Sequence, residues 1–316
     1  MEILLQSQRK KRKYKMSLPL KELITIGENQ LREAGIMDSV RDAKDLYCYL
    51  DKLDAVGLMM HWQDILPDNT CEAYFDLVAR RASGEPMQYI TGVQEFMGLT
   101  FNVNPSVLIP RQDTETMVED ALEVLQKGTL RGEAFVEKPN FKDVLDLCTG
   151  SGAIGVSIAK LNGNVKVTCS DLSEKALETA KGNAVLNGLK SVKFEQGDLF
   201  EPFCGKLGKK KFDFIISNPP YIESEVIPTL QTEVKDHEPM MALDGGEDGL
   251  DFYRQIAIEA PNHLKKGGVL MMEIGYNQGE EVCKLLEESE KFEKVQCLKD
   301  LAHKDRIVVG LLKRKK

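Results

Sequence analysis

The sequence predicts an α/β fold, a mostly parallel sheet with helices on both faces, preceded by a small helical domain and a β-hairpin linker. Three observations predict it. After Phe141, short apolar runs alternate with amphipathic helical stretches, the pattern of parallel strands joined by crossover helices. From about residue 20 to 84, apolar residues recur at helical spacing instead. Between the two, Phe96, Leu99, Phe101 and Val103 alternate around Gly98, which reads as a hairpin.

The chain has 316 residues, 42% of them hydrophobic, enough for two packed domains. The expected boundaries are a disordered basic tail over 1–17, a helical domain over 18–88, the hairpin linker over 89–112 and the sheet domain over 113–316. The formal charge of −8 argues against a general polyanion binder, because nucleic-acid affinity depends on neutralised phosphates. The run Arg9 to Lys13 reads either as a nucleic-acid arm or as a solvated tail, and Met16 is an alternative start. Seven cysteines occur without a C-x-x-C pair, which suits reduced thiols in a cytoplasmic protein. The four histidines are not clustered with cysteine, so no zinc site is expected. No apolar run approaches the ~20 residues that span a bilayer.

Within the helical domain, Leu23, Ile26, Leu31 and Ala34 form one apolar series and Ala43, Leu46, Tyr47 and Leu50 another. Gly35 and Gly57 read as helix ends, and Asp68 or Asn69 as the cap of the helix holding Tyr74 and Val78. Pro110 ends the hairpin region, and Thr114 reads as the cap of a helix carrying Met117 to Leu125. The strand candidates that follow are Val144–Cys148, Val165–Ser170, Val192–Glu195, Phe212–Ser217, Val269–Ile274, Val295–Leu298 and Ile307–Leu312, with a helix from Glu174 to Leu186.

The first of these strands runs into Asp146-Leu147-Cys148-Thr149-Gly150-Ser151-Gly152-Ala153-Ile154-Gly155. Gly150, Gly152 and Gly155 fit G-x-G-x-x-G, which turns a strand tightly into a helix and brings backbone close to a ligand. The second strand leads to Asp171, a carboxylate able to accept both hydroxyls of a ribose. A dinucleotide site predicts the same features. Two further acids favour S-adenosylmethionine: Asp146, suited to a cationic amino-acid tail and ill placed beside a pyrophosphate, and Asp198, placed to meet an adenine amino group.

The fourth strand runs into Asn218-Pro219-Pro220-Tyr221. Open α/β sheets bind ligands at such carboxyl ends. The prolines stiffen the turn and remove two backbone donors. Asn218 supplies an amide oxygen, Pro219 a carbonyl and Tyr221 a flat face. Together these fit a planar –NH2 group whose two hydrogens meet two acceptors, with nitrogen held in line with the donor methyl. The sulfonium leaves as a neutral thioether, so this chemistry requires no metal.

These residues resemble those of the HemK-type methyltransferases, which methylate a glutamine side-chain amide in peptide chain release factors. The likeness extends from about Leu20 onward. It includes Glu85-Pro86-Met87-Gln88-Tyr89-Ile90-Thr91-Gly92, Glu95-Phe96, Val107-Leu108-Ile109-Pro110-Arg111, Glu238-Pro239 and Ala242 to Leu250. It implies a helical N-terminal recognition domain and a Rossmann-like class I methyltransferase domain over 113–316. It also implies a donor loop of Cys148, Thr149, Gly150, Ser151 and Gly152, with Asp171 on the ribose and Asp198 and Leu199 bordering the donor. Asn218, Pro219, Pro220 and Tyr221 then receive the glutamine of the Gly-Gly-Gln loop, with Asn218 touching the donor as well. Cys148 stands where glycine is usual and calls for an ordinary backbone conformation. Gln112 stands where proline is common, and Leu199 where an aromatic residue occurs.

Rival readings are a DNA adenine methyltransferase, which needs cations on the backbone and an extracted base, and a glutamine methyltransferase of a ribosomal protein. A donor-binding protein without catalysis and a dinucleotide oxidoreductase leave Asn218 to Tyr221 without a role.

Overall fold

A computed structural model describes residues 17–137, 139–205 and 208–314. The basic run Arg9 to Lys13 and the alternative start at Met16 lie outside the described residues. The chain divides into two compact units, one ending at Thr91 and the other beginning at Gly92.

In the first unit, a short strand pair β1 (Leu18–Pro19) and β2 (Ile65–Leu66) accompanies helices α1 (Leu20–Glu33), α2 (Ser39–Asp51), α3 (Ala55–Met60), α4 (Asp68–Ala82) and α5 (Met87–Thr91). The buried stripe of α1 is Leu20, Leu23, Ile24, Gly27 and Leu31, one step round from the expected series. Ile26 is half-buried and Ala34 is exposed. The reason is Tyr74, which crosses α1 at Gly27 so closely that a Cβ there would lie 2.2 Å from its Oη. The Tyr74 hydroxyl donates to the Ala43 carbonyl at 3.0 Å. Gly35 does follow the end of α1 with φ +83°. Gly57 does not end a helix; its N–H donates to Asp54 Oδ1 at 2.7 Å in the first turn of α3. Asp68 is the first residue of α4, which has no side-chain cap.

The second unit opens with the hairpin β3 (Val93–Phe96) and β4 (Leu99–Asn102). The hairpin belongs to this unit and is pinned by the buried Asn183, whose side chain exchanges two hydrogen bonds with the Asn102 backbone, at 2.7 and 2.9 Å. Next come α6 (Gln112–Lys127), a short pair β5 (Thr129–Leu130) and β6 (Glu133–Ala134), β7 (Asp143–Leu147), α7 (Ala153–Leu161), β8 (Lys166–Asp171), α8 (Glu174–Leu186) and β9 (Lys193–Gln196). A second short pair, β10 (Cys204–Gly205) and β11 (Gly208–Lys209), precedes β12 (Phe212–Ser217). The order continues with α9 (Thr232–Lys235), α10 (Asp251–His263), β13 (Leu264–Glu273), α11 (Gly279–Glu288), β14 (Phe292–Lys299) and β15 (Asp305–Leu312). Thr114 is not a cap: α6 starts at Gln112, and Thr114 lies within its first turn.

All seven expected strands are present and form one sheet in the order β14-β15-β13-β12-β7-β8-β9. Neighbours from β13 to β9 pair in parallel, and β15 runs antiparallel between β13 and β14. Alternation along the strands builds two cores. Val144, Phe214, Ile216, Val269 and Met271 face the core that takes Met117, Val118, Val156 and Ile158 from α6 and α7. Leu145, Ile215, Leu270 and Met272 face the other, with Tyr253, Ile256, Val282 and Leu286 from α10 and α11. Strand order reverses across β7 and β12, which opens a crevice at their carboxyl ends.

Candidate active site

That crevice is a cavity of about 350 Å³. Its donor side is the turn from β7 into α7. Cys148, Gly150 and Gly152 take φ of 59°, 55° and 81°, so three of five residues are left-handed and the chain doubles back. Cys148 therefore departs from the ordinary conformation expected of it, in a region that favours glycine. Burial pushes its thiol up.

Gly155 is required by packing. A Cβ there would lie 2.5 Å from Cys169 Sγ and 2.8 Å from Asp146 Oδ2. The same packing places Asp146 behind the loop. It is wholly buried, it is not among the cavity-lining residues, and its Oδ2 accepts from Thr149 Oγ1 and from the Gly155 N–H at 2.8 Å. The carboxyl thus ties the loop to the helix from behind through Oδ2, while its Oδ1 has no hydrogen-bond partner among the described residues. Burial pushes it up to about 7. Gly152 also supports from behind: a Cβ there would meet Ala180 Cβ at 3.0 Å.

Asp171 ends β8 and lines the cavity. Its Oδ2 accepts from the Gly150 N–H at 2.8 Å and its Oδ1 from the Ser173 N–H at 2.9 Å. Burial raises its pKa despite these bonds. Asp198 and Leu199 follow β9 and line the same cavity, as do Cys148, Thr149, Gly150 and Ser151.

On the other side, Ser217 Oγ donates to the Leu147 carbonyl at 2.8 Å, joining the ends of β12 and β7. Asn218 and Pro220 line the cavity. Pro219 is buried and Tyr221 half-buried, both outside the lining. The Tyr221 hydroxyl donates to Glu273 Oε1 at 3.4 Å. Gln278 clamps the turn: its Nε2 donates to the carbonyls of Tyr221 at 3.0 Å and Gly249 at 3.2 Å, and its Oε1 accepts from the Gly275 N–H at 2.9 Å. A Cβ on Gly249 would lie 2.5 Å from the Tyr221 carbonyl, and one on Gly245 2.7 Å from Tyr221 Cα. The Ala242 to Leu250 segment therefore packs backbone on backbone against the acceptor turn. Arg111 Nη2 meets Glu238 Oε2 at 2.6 Å, joining two further segments that sequence reading marked without a reason.

Sequence reading missed Thr114, Ser217, Glu273 and Gln278. Only Glu273 carried a signal, a lone charge inside the apolar run Val269 to Ile274.

The cavity fits S-adenosylmethionine. A Cβ on Gly150 would enter open space, so the backbone is bare to a ligand there. One cavity-lining hydroxyl, Ser170 Oγ, is buried without a hydrogen-bond partner among the described residues, and such a group is costly unless a ligand or water meets it. A donor turn and an Asn-Pro-Pro-Tyr turn facing one crevice place the protein among the S-adenosylmethionine-dependent methyltransferases, and the family described as "Methyltransferase domain" matches residues 140–309. The family described as "PrmC N-terminal domain" matches residues 22–92. A release factor glutamine methyltransferase of Clostridium acetobutylicum is 41% identical over 295 residues, covering 93% of this chain and 99% of that protein. One from Geobacter sulfurreducens is 44% identical over 80% of this chain and 82% of its own length. The chain belongs to the release factor glutamine methyltransferase family. A solved methyltransferase structure from Pyrococcus furiosus aligns with a TM-score of 0.47 at 20% identity, over 69% of this chain and 91% of that one.

Proposed function

We propose that this enzyme methylates the side-chain amide nitrogen of the glutamine in the Gly-Gly-Gln loop of peptide chain release factors. The observation that carries the reading is the placement of Asn218 and Pro220 on the same cavity as Asp171 and Gly150. Bound S-adenosylmethionine supplies an electrophilic methyl on a sulfonium sulfur. Asp171 accepts the ribose hydroxyls, the Gly150 and Ser151 backbone receives the amino-acid portion, and Asp198 with Leu199 borders the adenine.

Asn218 lines the cavity, and its side-chain amide is bonded to no other described residue. It is therefore available to accept one N–H of the glutamine amide, and the Pro219 carbonyl accepts the other. Two acceptors draw the nitrogen lone pair out of conjugation and let negative charge build on nitrogen, and the amide proton displaced by the methyl leaves to water or to the acceptor that holds it. That preorganised pair is the electrostatic and orientation contribution of this turn. Tyr221 flanks the amide.

The helical domain is read as the substrate-recognition part. The free cysteines suit a cytoplasmic protein and the −8 charge one without a stable nucleic-acid partner, and the enzyme is read as a monomer. Among the described residues, no helix is long and apolar enough to cross a membrane.

The test is one incubation with methyl-labelled S-adenosylmethionine and purified release factors. Label is expected in the wild-type factor and not in one whose loop glutamine is changed. Label persisting in the changed factor, or appearing instead in duplex DNA, refutes the assignment.

A further inference from the structure

Glu273 is the last residue of β13. The register pairs Met272 with Ser217, so Glu273 comes level with the start of the acceptor turn. The residue is 1% exposed. Its Oε1 accepts from the Tyr221 hydroxyl, while its Oε2 has no hydrogen-bond partner among the described residues. Burying a carboxyl with one oxygen unmatched is costly.

The groups around this carboxyl come from every packed element. Tyr253 of α10 donates its hydroxyl to the Glu273 carbonyl at 2.9 Å. Thr114 of α6 faces the carboxyl and also lines the donor cavity. Arg306 of β15 acts on Glu273 but is paired with Asp113 and Asp300 at 3.1 and 3.2 Å. Asp113, a like charge, raises the Glu273 pKa, and Arg111 acts on Tyr221.

We propose that Glu273 is a positioning residue, whose ionised carboxyl fixes the Tyr221 hydroxyl and thereby the ring beside the glutamine amide. This rests on the methyl-transfer reading above and deepens it. A carboxylate accepts a phenol proton more strongly than the neutral acid does. Burial pushes Glu273 up to about 7, against the pull of Thr114, Arg306 and Tyr221. Tyr221 is accordingly held more tightly above that pH than below it.

The first test needs neither donor nor substrate. The full chain is labelled with carbon-13 at tyrosine Cζ, and the Tyr221 signal, assigned with Tyr221→Phe, is followed as pH is raised across neutrality. The expected result is a shift with a midpoint near the ionisation of Glu273, absent in Glu273→Gln. A flat signal in the unaltered protein, or a shift that survives in Glu273→Gln, overturns the proposal. The second test is kinetic. At about pH 8, Glu273→Gln is expected to lower kcat/KM for the release factor roughly tenfold, with donor affinity unchanged within about twofold. Tyr221→Phe is expected to lose as much, and the double variant no more. Additive losses overturn the proposal, as does a parallel fall in donor affinity. If the unaltered enzyme labels no release factor, the substrate reading fails by itself and the tyrosine titration still decides the role of Glu273.

Discussion

At the donor end of the cavity, geometry is written into the backbone: Cys148, Gly150 and Gly152 are left-handed, and Gly155 allows α7 to touch Asp146 and Cys169. At the acceptor end, Asn218 to Tyr221 is stiffened by two prolines, and much of its position comes from side chains reaching in from elsewhere, Gln278 from the start of α11 and Glu273 from β13. A site built from backbone tolerates little change in volume. A site held by side-chain clamps tolerates volume change but responds to the loss of single polar atoms. Donor-end substitutions should therefore register as stability and donor affinity, acceptor-end substitutions as turnover.

The largest expected effect tests the acceptor half. Asn218→Ala should lower kcat by roughly a thousandfold, the cost of one preorganised acceptor, with donor affinity by calorimetry nearly unchanged. A matching loss of donor affinity would merge the two halves into one. Next is the pH dependence of stability. Asp146 and Glu273 are both pushed up to about 7 by burial. Their contribution to stability is full below the unfolded-state pKa values and is lost as pH rises through about 7, on the order of 3 kcal/mol per group. Chemical denaturation from pH 5 to 8 should show this decline, and Glu273→Gln should flatten part of it while raising stability at pH 8. A variant more stable yet slower at the same pH is the signature of a residue kept for function.

Gly155→Ala should cost about 2 kcal/mol, the price of overpacking against Cys169 and Asp146, read as a lower denaturation midpoint. An unchanged midpoint would remove the packing argument for the donor end. Asp171→Ala should weaken donor binding by roughly tenfold or more, since it removes a charged acceptor, with a smaller change in kcat at saturating donor. The smallest effect belongs to Cys148→Gly. Relief of the left-handed strain, about 1–2 kcal/mol, is partly offset by the freer unfolded chain, about 0.4–1 kcal/mol. A net gain of about 0–1.6 kcal/mol is expected. A loss would show that the thiol packs better than its backbone suffers.

The parts readable from sequence were those with local chemistry. Alternating apolar runs announced the seven strands, and the glycines announced the donor turn, because periodicity and turn requirements act over a few residues. What escaped was set by distant partners. The cap expected at Thr114 failed because α6 begins two residues earlier, at Gln112. The stripe of α1 shifted because Tyr74, far along the chain, claims Gly27. The charge of Asp146 was legible, but the bonds of its Oδ2 to Thr149 and Gly155 were not. Gln278 looked like any surface glutamine until Tyr221 and Gly249 met it.

Strand β15 has a consequence for the order in which the molecule is made. It is the last strand of the sheet in sequence, yet it lies between β13 and β14 rather than at an edge. Until it emerges, β14 has nothing to pair with and Glu273 lacks Arg306. A nascent chain can assemble the donor turn early, from β7, β8 and α7, close together in sequence. It cannot finish the acceptor side until β15, the last strand of the sheet in sequence, has been synthesised.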